Sequence, residues 1–404
     1  MTNSCLYLKD NIQVKKIHQN KKILRKKFDR IFLEIKFDIK NTKKTLNVLD
    51  DNFKFNFKFK NLKQFKKFKT IALIGMGGSI LGSEAVYQFF QSKIKKKFYF
   101  FNDLDEKKIL DFKRKKNLSK TLFIIISKSG NTIETLSNTF FLNIIKKNAK
   151  NIIIISEKKN NFLFLLSKNL NLFYIEHKKN LGGRYSVLSE VGIVPAYFMG
   201  VNIFRLRSKI LNCLKGKNKI FLKTSSAKLS NLLISKKFNN IIFLNYSPQL
   251  EKFLYWCQQL IAESLGKKNK GFLPVISNAP KDHHSLLQLY LDGPKDKLFN
   301  IFSFESDLKE KIIINKEFKV SSFLNKKKLS AVKNAQKQAL IKTFIAKKIP
   351  FREFKIKKIN EETFGELLSF FIFETIIIAK LININPFDQP AVEQVKEFTK
   401  KYLT

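Results

Sequence analysis

The sequence predicts an α/β fold made of two tandem doubly wound parallel sheets, with additional helices at both ends. From about residue 70, short apolar runs alternate with helical patterns at spacings of about 20 to 30 residues, which is typical of strand, crossover helix and strand. A second, weaker series of the same kind begins near residue 239. With 404 residues, 44% of them hydrophobic, the chain is long enough for two or three domains with their own cores.

We predict four segments along the chain. Residues 1–65 form a helical or irregular N-terminal segment, residues 66–205 the first α/β domain, residues 206–360 the second, and residues 361–404 C-terminal helices that complete the functional site. The predicted strands are the apolar runs 71–76, 98–103, 121–127, 151–156 and 171–176 of the first domain, and 239–245, 298–304 and 351–359 of the second.

Two further segments have clear periodicity. Residues 362–382 read as a long apolar helix, and a short basic helix follows "NPFDQP". Residues 52–69, "NFKFNFKFKNLKQFKKFK", begin with the period of two that is typical of a half-buried strand and continue with helical spacing.

The charge of the chain is +46, from 78 lysines and arginines against 32 aspartates and glutamates. Such a charge would ordinarily indicate nucleic acid or an anionic membrane as the partner. Only seven of the basic residues are arginine, however, and lysine is spread through every segment beside Asn, Ile and Phe, all of which have A/T-rich codons. Drift in nucleotide composition therefore explains the charge better than a nucleic-acid surface does.

The three cysteines, Cys5, Cys213 and Cys257, are widely scattered. They match neither a disulfide framework nor the paired spacing of a zinc site, which favours a reducing compartment. The N-terminus has no apolar signal region, and no run of about 18 uncharged apolar residues occurs. We therefore expect a cytoplasmic, unprocessed protein without a membrane span.

Two loops that follow predicted strands have the composition of anion sites, at the edge where ligands of parallel sheets bind. "GMGGSILG" (75–82) includes Gly78 and Ser79 and allows bare backbone to approach a ligand. It is not a dinucleotide fingerprint, because Ile80 occupies the position of the third glycine. The chain also lacks the GxxxxGK[ST] motif of nucleoside triphosphate sites.

The second loop, "SKSGNTIET" (127–135), places several hydroxyl groups and one lysine at the start of a predicted helix, where free N–H groups and the helix dipole favour phosphate. The polar side chains are those of Ser127, Lys128, Ser129, Thr132 and Thr135. An alternative interpretation is that these serines and threonines only cap the helix. Their crowding on one turn favours a monophosphate ligand.

These two loops resemble the phosphosugar-binding loops of sugar isomerase domains, and four further segments narrow the resemblance to the glucose-6-phosphate isomerase family. The segments occur in the family's order and, with the loops, extend from about residue 70 to the end: "LGGRYSVLSEVG" (181–192), "QQLIAESLGKKNKG" (258–271), "DHHSLLQ" (282–288) and "PFDQPAVEQVK" (386–396). The resemblance implies conversion between glucose 6-phosphate and fructose 6-phosphate, no metal or organic cofactor, and a homodimer whose active sites are completed across the interface.

The chemistry of this reaction needs a base that moves a proton between C1 and C2 through an enediolate, and one carboxylate can perform both transfers. By resemblance, that base is Glu263. The developing oxyanion needs a cation that keeps its proton, for which arginine is better suited than lysine. Arg184, one of seven arginines in a lysine-rich chain, is the predicted partner.

Ring opening needs a proton donor and acceptor near neutral pH, which histidine can supply. By resemblance, His284 has this role, in the active site of the partner subunit. We expect His283 to be incidental, and His18 and His177 to be ordinary surface or loop residues.

The last predicted catalytic residue is Lys396, which by resemblance assists ring opening, with Gln389 near the phosphate. Ala391 and Val395 depart from the family pattern, where glycines are common. We expect their added Cβ bulk to shift the helix around Lys396 slightly or to forbid a turn with positive φ.

Besides a drifted enzyme of the same kind with weak activity, two alternatives remain open from the sequence. One is a bifunctional phosphoglucose and phosphomannose isomerase, which uses similar phosphate loops. The other is a non-catalytic phosphosugar sensor that binds DNA, which would require a discrete helix-turn-helix module and no catalytic glutamate.

Overall fold

The computed structural model describes residues 6–12, 21–305, 309–315 and 322–404 and confirms the α/β fold class, with two five-stranded sheets flanked by helices. The strands are β1 Leu6–Asp10, β2 Thr70–Ile74, β3 Lys97–Phe101, β4 Thr121–Ile126, β5 Ile152–Ser156, β6 Phe173–Glu176, β7 Asn240–Asn245, β8 Leu273–Asn278, β9 Lys297–Phe304 and β10 Phe351–Ile356. The helices are α1 Lys21–Lys40, α2 Phe59–Leu62, α3 Leu81–Phe90, α4 Glu106–Lys115, α5 Ile133–Phe141, α6 Phe162–Asn169, α7 Glu190–Met199, α8 Ile203–Ser208, α9 Gly216–Ser235, α10 Glu251–Leu265, α11 Leu287–Asp292, α12 Leu329–Ala346, α13 Glu361–Leu381 and α14 Glu393–Leu403.

The first sheet is entirely parallel and has the order β3-β2-β4-β5-β6. Every residue of β4 and β5 is buried, because helices cover both faces, and this explains why these strands read as unbroken apolar runs. The chain winds in opposite directions from β2 and β4, so their carboxyl ends form the switch point where such sheets bind ligands.

The second sheet has the order β8-β7-β9-β10-β1, and its switch point lies between β7 and β9. Strands β7 to β10 are parallel, whereas β1 pairs antiparallel with β10. The prediction of a helical or irregular N-terminal segment was therefore wrong for β1. Its partner lies more than 300 residues away in sequence, and no local pattern encodes such a pairing.

Strand β8 was also missed, because Pro274 interrupts its short apolar run. Proline cannot donate to a neighbouring strand and therefore argues against a central strand. In the structure β8 lies at the edge of the sheet, where proline is tolerated.

The strand prediction for the start of residues 52–69 was wrong. Residues 53–58 alternate between more and less buried side chains but pair with no strand of the described chain. The Phe55 ring instead contacts the rings of Phe53, Phe57 and Phe59, so the alternation reflects an aromatic cluster rather than a ladder. The predicted helical continuation is confirmed in part by the short helix α2 and the 3₁₀ turn Lys63–Phe65.

Helices from both halves of the chain meet between the two sheets. Helix α13, predicted at 362–382, is almost completely buried and packs against α8, α9 and α10. Helix α3, which follows β2, packs against α10, which follows β7. The carboxyl end of β2 therefore lies close to the C-terminal end of α10.

Candidate active site

The loop after β4 forms a ring of hydroxyl groups at the switch point of the first sheet. Ser127 Oγ lies 2.8 Å from Thr132 Oγ1, and Ser129 Oγ lies 3.5 Å and 3.4 Å from these two atoms. Thr132 is the residue before α5, yet its side chain makes no capping hydrogen bond to the helix. Gly130 has φ +70°, and a Cβ there would lie 1.7 Å from Asn161 Oδ1, so this tight turn requires glycine.

The loop after β2 packs directly on the turn Gly183–Leu188. A Cβ on Gly78 would lie 2.1 Å from the carbonyl carbon of Gly183. Ser186 Oγ donates to the carbonyl oxygen of Gly183 over 2.7 Å and lies 3.3 Å from the carbonyl oxygen of Gly78. The turn that contains Arg184 therefore packs on the glycine loop, residues 75–80 after β2. The half-buried Ser79 is the neighbour of Gly78 in this loop.

Arg184 is 1% exposed and uses all five of its N–H donors. Nε donates to Ser264 Oγ over 2.9 Å, and Nη1 donates to Glu263 Oε2 over 2.9 Å and to Gln389 Oε1 over 2.7 Å. Nη2 donates to the carbonyl oxygens of Pro386 and Asp388 over 2.6 Å and 3.0 Å. This side chain thereby links α10 to the segment that precedes the C-terminal helix.

Glu263 lies on the last turn of α10, with 30% of its side chain exposed. The second carboxylate oxygen, Oε1, accepts a hydrogen bond of 2.9 Å from Gln259 Nε2. Gln259 Oε1 is buried and has no hydrogen-bond partner among the described residues. The Glu263 carboxylate is thus held between the Arg184 guanidinium and the Gln259 amide. The Gln259 Oε1 atom remains as an unused hydrogen-bond acceptor beside the carboxylate.

The other predicted residues are not all gathered at Glu263. Lys396 lies on the exposed helix α14 and pairs with Glu393 over 2.7 Å. His284 is exposed in the loop after β8. Within the described chain, neither side chain hydrogen-bonds to Glu263 or Arg184, whereas Gln389 bonds directly to Arg184.

Two other predicted side chains of residues 127–135, those of Lys128 and Thr135, take no part in the hydrogen bonds of the hydroxyl ring. Lys128 Nζ donates to the carbonyl oxygen of Lys179 over 3.0 Å and lies 3.5 Å from Glu157, and burial lowers the pKa of Lys128. Thr135 is completely buried on α5, and its hydroxyl has no partner among the described residues.

The histidines differ from the expectation in one case. His177, expected on the surface or in a loop, is in a loop but is buried; its Nδ1 donates to the carbonyl oxygen of Lys178 over 2.9 Å, and burial lowers its pKa to about 4. His283 hydrogen-bonds through Nε2 to the Tyr246 hydroxyl at 2.8 Å, and burial lowers its pKa. His18 lies outside the described residues.

The sequence profile of a family described as phosphoglucose isomerase matches residues 38–404. This chain belongs to the phosphoglucose isomerase family. The chain is 35% identical over 380 residues to a probable glucose-6-phosphate isomerase of Methanococcus maripaludis, covering 89% of this chain and 84% of that one. It is 32% identical over 361 residues to a glucose-6-phosphate isomerase of Methanocaldococcus jannaschii, covering 83% and 86%.

Solved structures share the fold of this phosphoglucose isomerase family member. A hypothetical protein of Thermus thermophilus superimposes with a TM-score of 0.81 at 24% identity, covering 98% of this chain and all of that one. A glucose-6-phosphate isomerase of Chlamydia trachomatis superimposes with a TM-score of 0.68 at 18% identity, covering 97% and 76%. The resemblance found in the sequence is thereby confirmed at the level of family and fold.

Sequence reasoning missed Gln259, which the structure places against Glu263. The two lie four residues apart on one helix, so their side chains share a face, and that spacing was the available signal. For this member of the phosphoglucose isomerase family, the described residues contain no group of three or more His, Cys, Asp or Glu side chains arranged to hold a metal. In the described part of the chain, no helix combines the length and apolarity required to cross a membrane.

Proposed function

We propose that this chain catalyses the reversible isomerisation of glucose 6-phosphate and fructose 6-phosphate, a step of glycolysis and gluconeogenesis. The observation that carries the proposal is the pairing of Glu263 with the buried Arg184 over 2.9 Å, beside the glycine loop of the first sheet. Membership of the phosphoglucose isomerase family supports the same reaction.

Glu263 is the base that transfers the proton between C2 and C1. In the open-chain sugar it removes the proton from C2, and the C1 carbonyl oxygen takes up the negative charge of the enediolate. The hydroxyl proton moves from O2 to O1, and the same carboxyl group returns its proton to C1, which leaves the carbonyl at C2. Arg184 stabilises the developing negative charge through its own fixed charge. Since its five N–H donors are occupied in this conformation, Gln389 is the partner most easily exchanged for the substrate oxygen, because it is exposed.

Gln259 positions the carboxylate. Its Nε2 holds one oxygen of Glu263, and its unpartnered Oε1 is available to accept a hydrogen bond from a sugar hydroxyl. An orphaned buried acceptor costs about 1–3 kcal/mol, which a bound hydroxyl would recover.

The phosphate of the substrate binds in the hydroxyl ring of Ser127, Ser129 and Thr132, at the start of α5. The backbone of Gly78 and Ser79 approaches it from the neighbouring loop, and Lys128 adds positive charge nearby. Because the phosphate does not react, its binding energy serves to hold C1 and C2 against Glu263.

Ring opening requires groups that the single chain does not bring to Glu263. We assign this step to His284 of a second copy, in a homodimer, and to Lys396. The exposure of His284 supports this assignment, because an exposed side chain can reach across an interface. Movement of the exposed helix α14 toward Arg184 would bring Lys396 to the same place.

We place the enzyme in the cytoplasm. Cys213 and Cys257 are free and buried, and burial raises the pKa of both thiols, as suits unreactive core residues in a reducing compartment.

The test is turnover of fructose 6-phosphate by the purified protein, coupled to glucose-6-phosphate dehydrogenase, with Glu263→Gln measured beside it. Loss of the base should lower kcat by about 10²–10⁴-fold. Glu251→Gln, at the other end of α10, is the matched control and should retain activity. Absence of turnover in the wild-type protein, or an active Glu263→Gln variant, would refute the proposal.

The two alternatives are answered by simple observations. Turnover of mannose 6-phosphate in the same assay would indicate the bifunctional enzyme. The DNA-binding sensor required a helix-turn-helix module, and the described part of residues 1–65 instead holds β1, the long helix α1, the four-residue helix α2 and short 3₁₀ turns.

A further inference from the structure

We propose that the cavity at the switch point of the second sheet binds a small phosphorylated molecule, at a site separate from that of the hexose 6-phosphate. The cavity has a volume of about 370 Å³, within the range of small-ligand sites. Its lining residues come from the ends of β7, β9 and β10 and from helix α12: Tyr246, Ser303, Phe304, Glu305, Ser330, Ala331, Lys333, Asn334, Lys337 and Lys355.

The position of this cavity within its sheet matches that of the hydroxyl ring in the first sheet. Both lie where two neighbouring parallel strands end and the winding of the sheet reverses: β2 and β4 in the first, β7 and β9 in the second. Doubly wound sheets bind ligands at this point because the connections leave in opposite directions and open a crevice. Glu263 lies on α10, packed against α3, so the two places are distinct.

The charges in the cavity favour an anion. Three lysines line it against one glutamate. Lys355 pairs with Glu305, and Lys337, 2% exposed, donates to Glu353 over 2.6 Å and to Ser303 Oγ over 2.9 Å. Lys337 retains a third N–H donor.

Lys333 differs from the other two lysines. It is half-buried one turn before Lys337 on the same face of α12 and has no carboxylate partner among the described residues. Burial lowers its pKa. An anion in the cavity would supply the missing counter-charge, and the neutralisation of a partly buried cation favours binding.

The first turn of α12 opens on the same cavity. Ser330 and Ala331 belong to this turn and line the cavity. The turn contains no acidic residue, and no side chain caps the start of the helix. The Ala331 N–H donates to the carbonyl oxygen of Lys328 over 2.9 Å, so of these two residues Ser330 is the one whose backbone N–H makes no such bond in the described chain. That N–H group and the dipole of the 18-residue helix add to the lysines in attracting phosphate, and the Ser330 and Asn334 side chains supply neutral donors. The cavity therefore combines a positive charge, a helix terminus and hydroxyl or amide donors around one space.

The occupant would also lie close to the histidine loop. Tyr246 lines the cavity, and its hydroxyl bonds to His283, the neighbour of His284. A ligand that displaces Tyr246 would therefore alter the support of the loop that carries His284.

The test measures binding of glycerol 3-phosphate and of inorganic phosphate by ³¹P NMR. A salt concentration of about 0.15 M screens the nonspecific attraction of phosphate to the many surface lysines. The double substitution Ser127→Ala and Thr132→Val silences the first phosphate loop, so that binding to the second cavity is measured alone. On that background, Lys333→Gln should weaken binding about tenfold or more, since it removes a charge-assisted contact. Lys342→Gln, an exposed lysine of the same helix, is the matched control.

Binding that survives in the silenced protein and falls with Lys333→Gln but not with Lys342→Gln would support the site. No binding to the silenced protein would overturn the proposal, as would an equal loss in the two lysine variants, which would indicate diffuse attraction. Thermal unfolding of each variant checks that it is folded. Isomerase turnover of the wild-type protein is measured in parallel, so that failure of one proposal can be distinguished from failure of the other. A protein that binds phosphate in the second cavity but has no turnover would refute only the proposed isomerase activity.

Discussion

The backbones of Gly78 and Gly183 are in contact, with no room between them for a side chain: a Cβ on Gly78 would lie 2.1 Å from the Gly183 carbonyl carbon and 2.6 Å from the Arg184 nitrogen. The first loop thereby sets the position of the turn that carries Arg184. The position of Arg184, for which we propose a catalytic role, therefore depends on a glycine of the loop after β2.

Gly78→Ala should lower kcat strongly, because the turn must shift and Arg184 with it. The overpacking should cost about 1–3 kcal/mol of the free energy of unfolding. Gly182→Ala is the control in the adjoining motif, since a Cβ there meets only the Tyr185 ring at 3.6 Å. Equal activity of the two variants in the coupled assay would contradict the view that the contact between Gly78 and Gly183 sets the position of Arg184.

Arg184→Lys keeps the charge but offers three donors in place of five. Because hydrogen bonds to charged groups contribute about 1.5–3 kcal/mol each, we expect kcat to fall at least tenfold and the 386–389 segment to loosen. Turnover and limited proteolysis measure these effects. Arg205→Lys, an exposed arginine paired with Glu362 at 2.8 Å, should behave like wild type, and an unaffected Arg184→Lys would show that charge alone suffices.

Removal of the hydroxyls by Ser127→Ala or Thr132→Val should lower kcat as well as raise KM. In the proposed mechanism, binding energy from the phosphate positions the reacting carbons, so its loss should lower the rate. Steady-state kinetics with fructose 6-phosphate separate the two constants. Ser119→Ala, in the turn before β4, serves as the control. If only KM changes, Ser127 and Thr132 contribute to substrate binding but not to the rate.

The stability of the protein should fall with acidification because of His177. Burial lowers the pKa of His177 to about 4, below its ordinary value of 6.5, so between these pH values the unfolded chain binds a proton that the folded chain does not. This stability is present above pH 6.5 and is lost as the pH falls toward 4. At about pH 5 the loss amounts to about 2 kcal/mol relative to neutral pH.

Urea unfolding at several pH values measures this effect as the difference between wild type and His177→Gln. The variant should be less stable at neutral pH and show a shallower loss on acidification. His284→Gln, which changes an exposed histidine, should leave the slope unchanged. Parallel pH profiles for wild type and His177→Gln would disprove the assignment.

Much of the fold was predictable because its signals are local. Unbroken apolar runs marked β4 and β5, which are buried on both faces, and the long apolar run at 362–382 marked α13. The two missed strands failed for physical reasons: β8 contains Pro274 and is acceptable only at an edge, and β1 pairs with a strand at the other end of the chain. The buried position of His177 likewise depends on what packs over its loop.

The sequence by itself determined the α/β class, the two strand series, the two loops rich in glycine and hydroxyl residues, and the family, because strand periodicity, glycine turns and motif order are properties of short stretches. Only the tertiary structure decided that Arg184 uses all five donors, that Gln259 holds Glu263, and that a lysine-lined cavity lies at the second switch point. These relationships join residues far apart in the chain or depend on the exact direction of a side chain. Packing alone sets such distances, since the same local patterns are compatible with many arrangements of the two sheets.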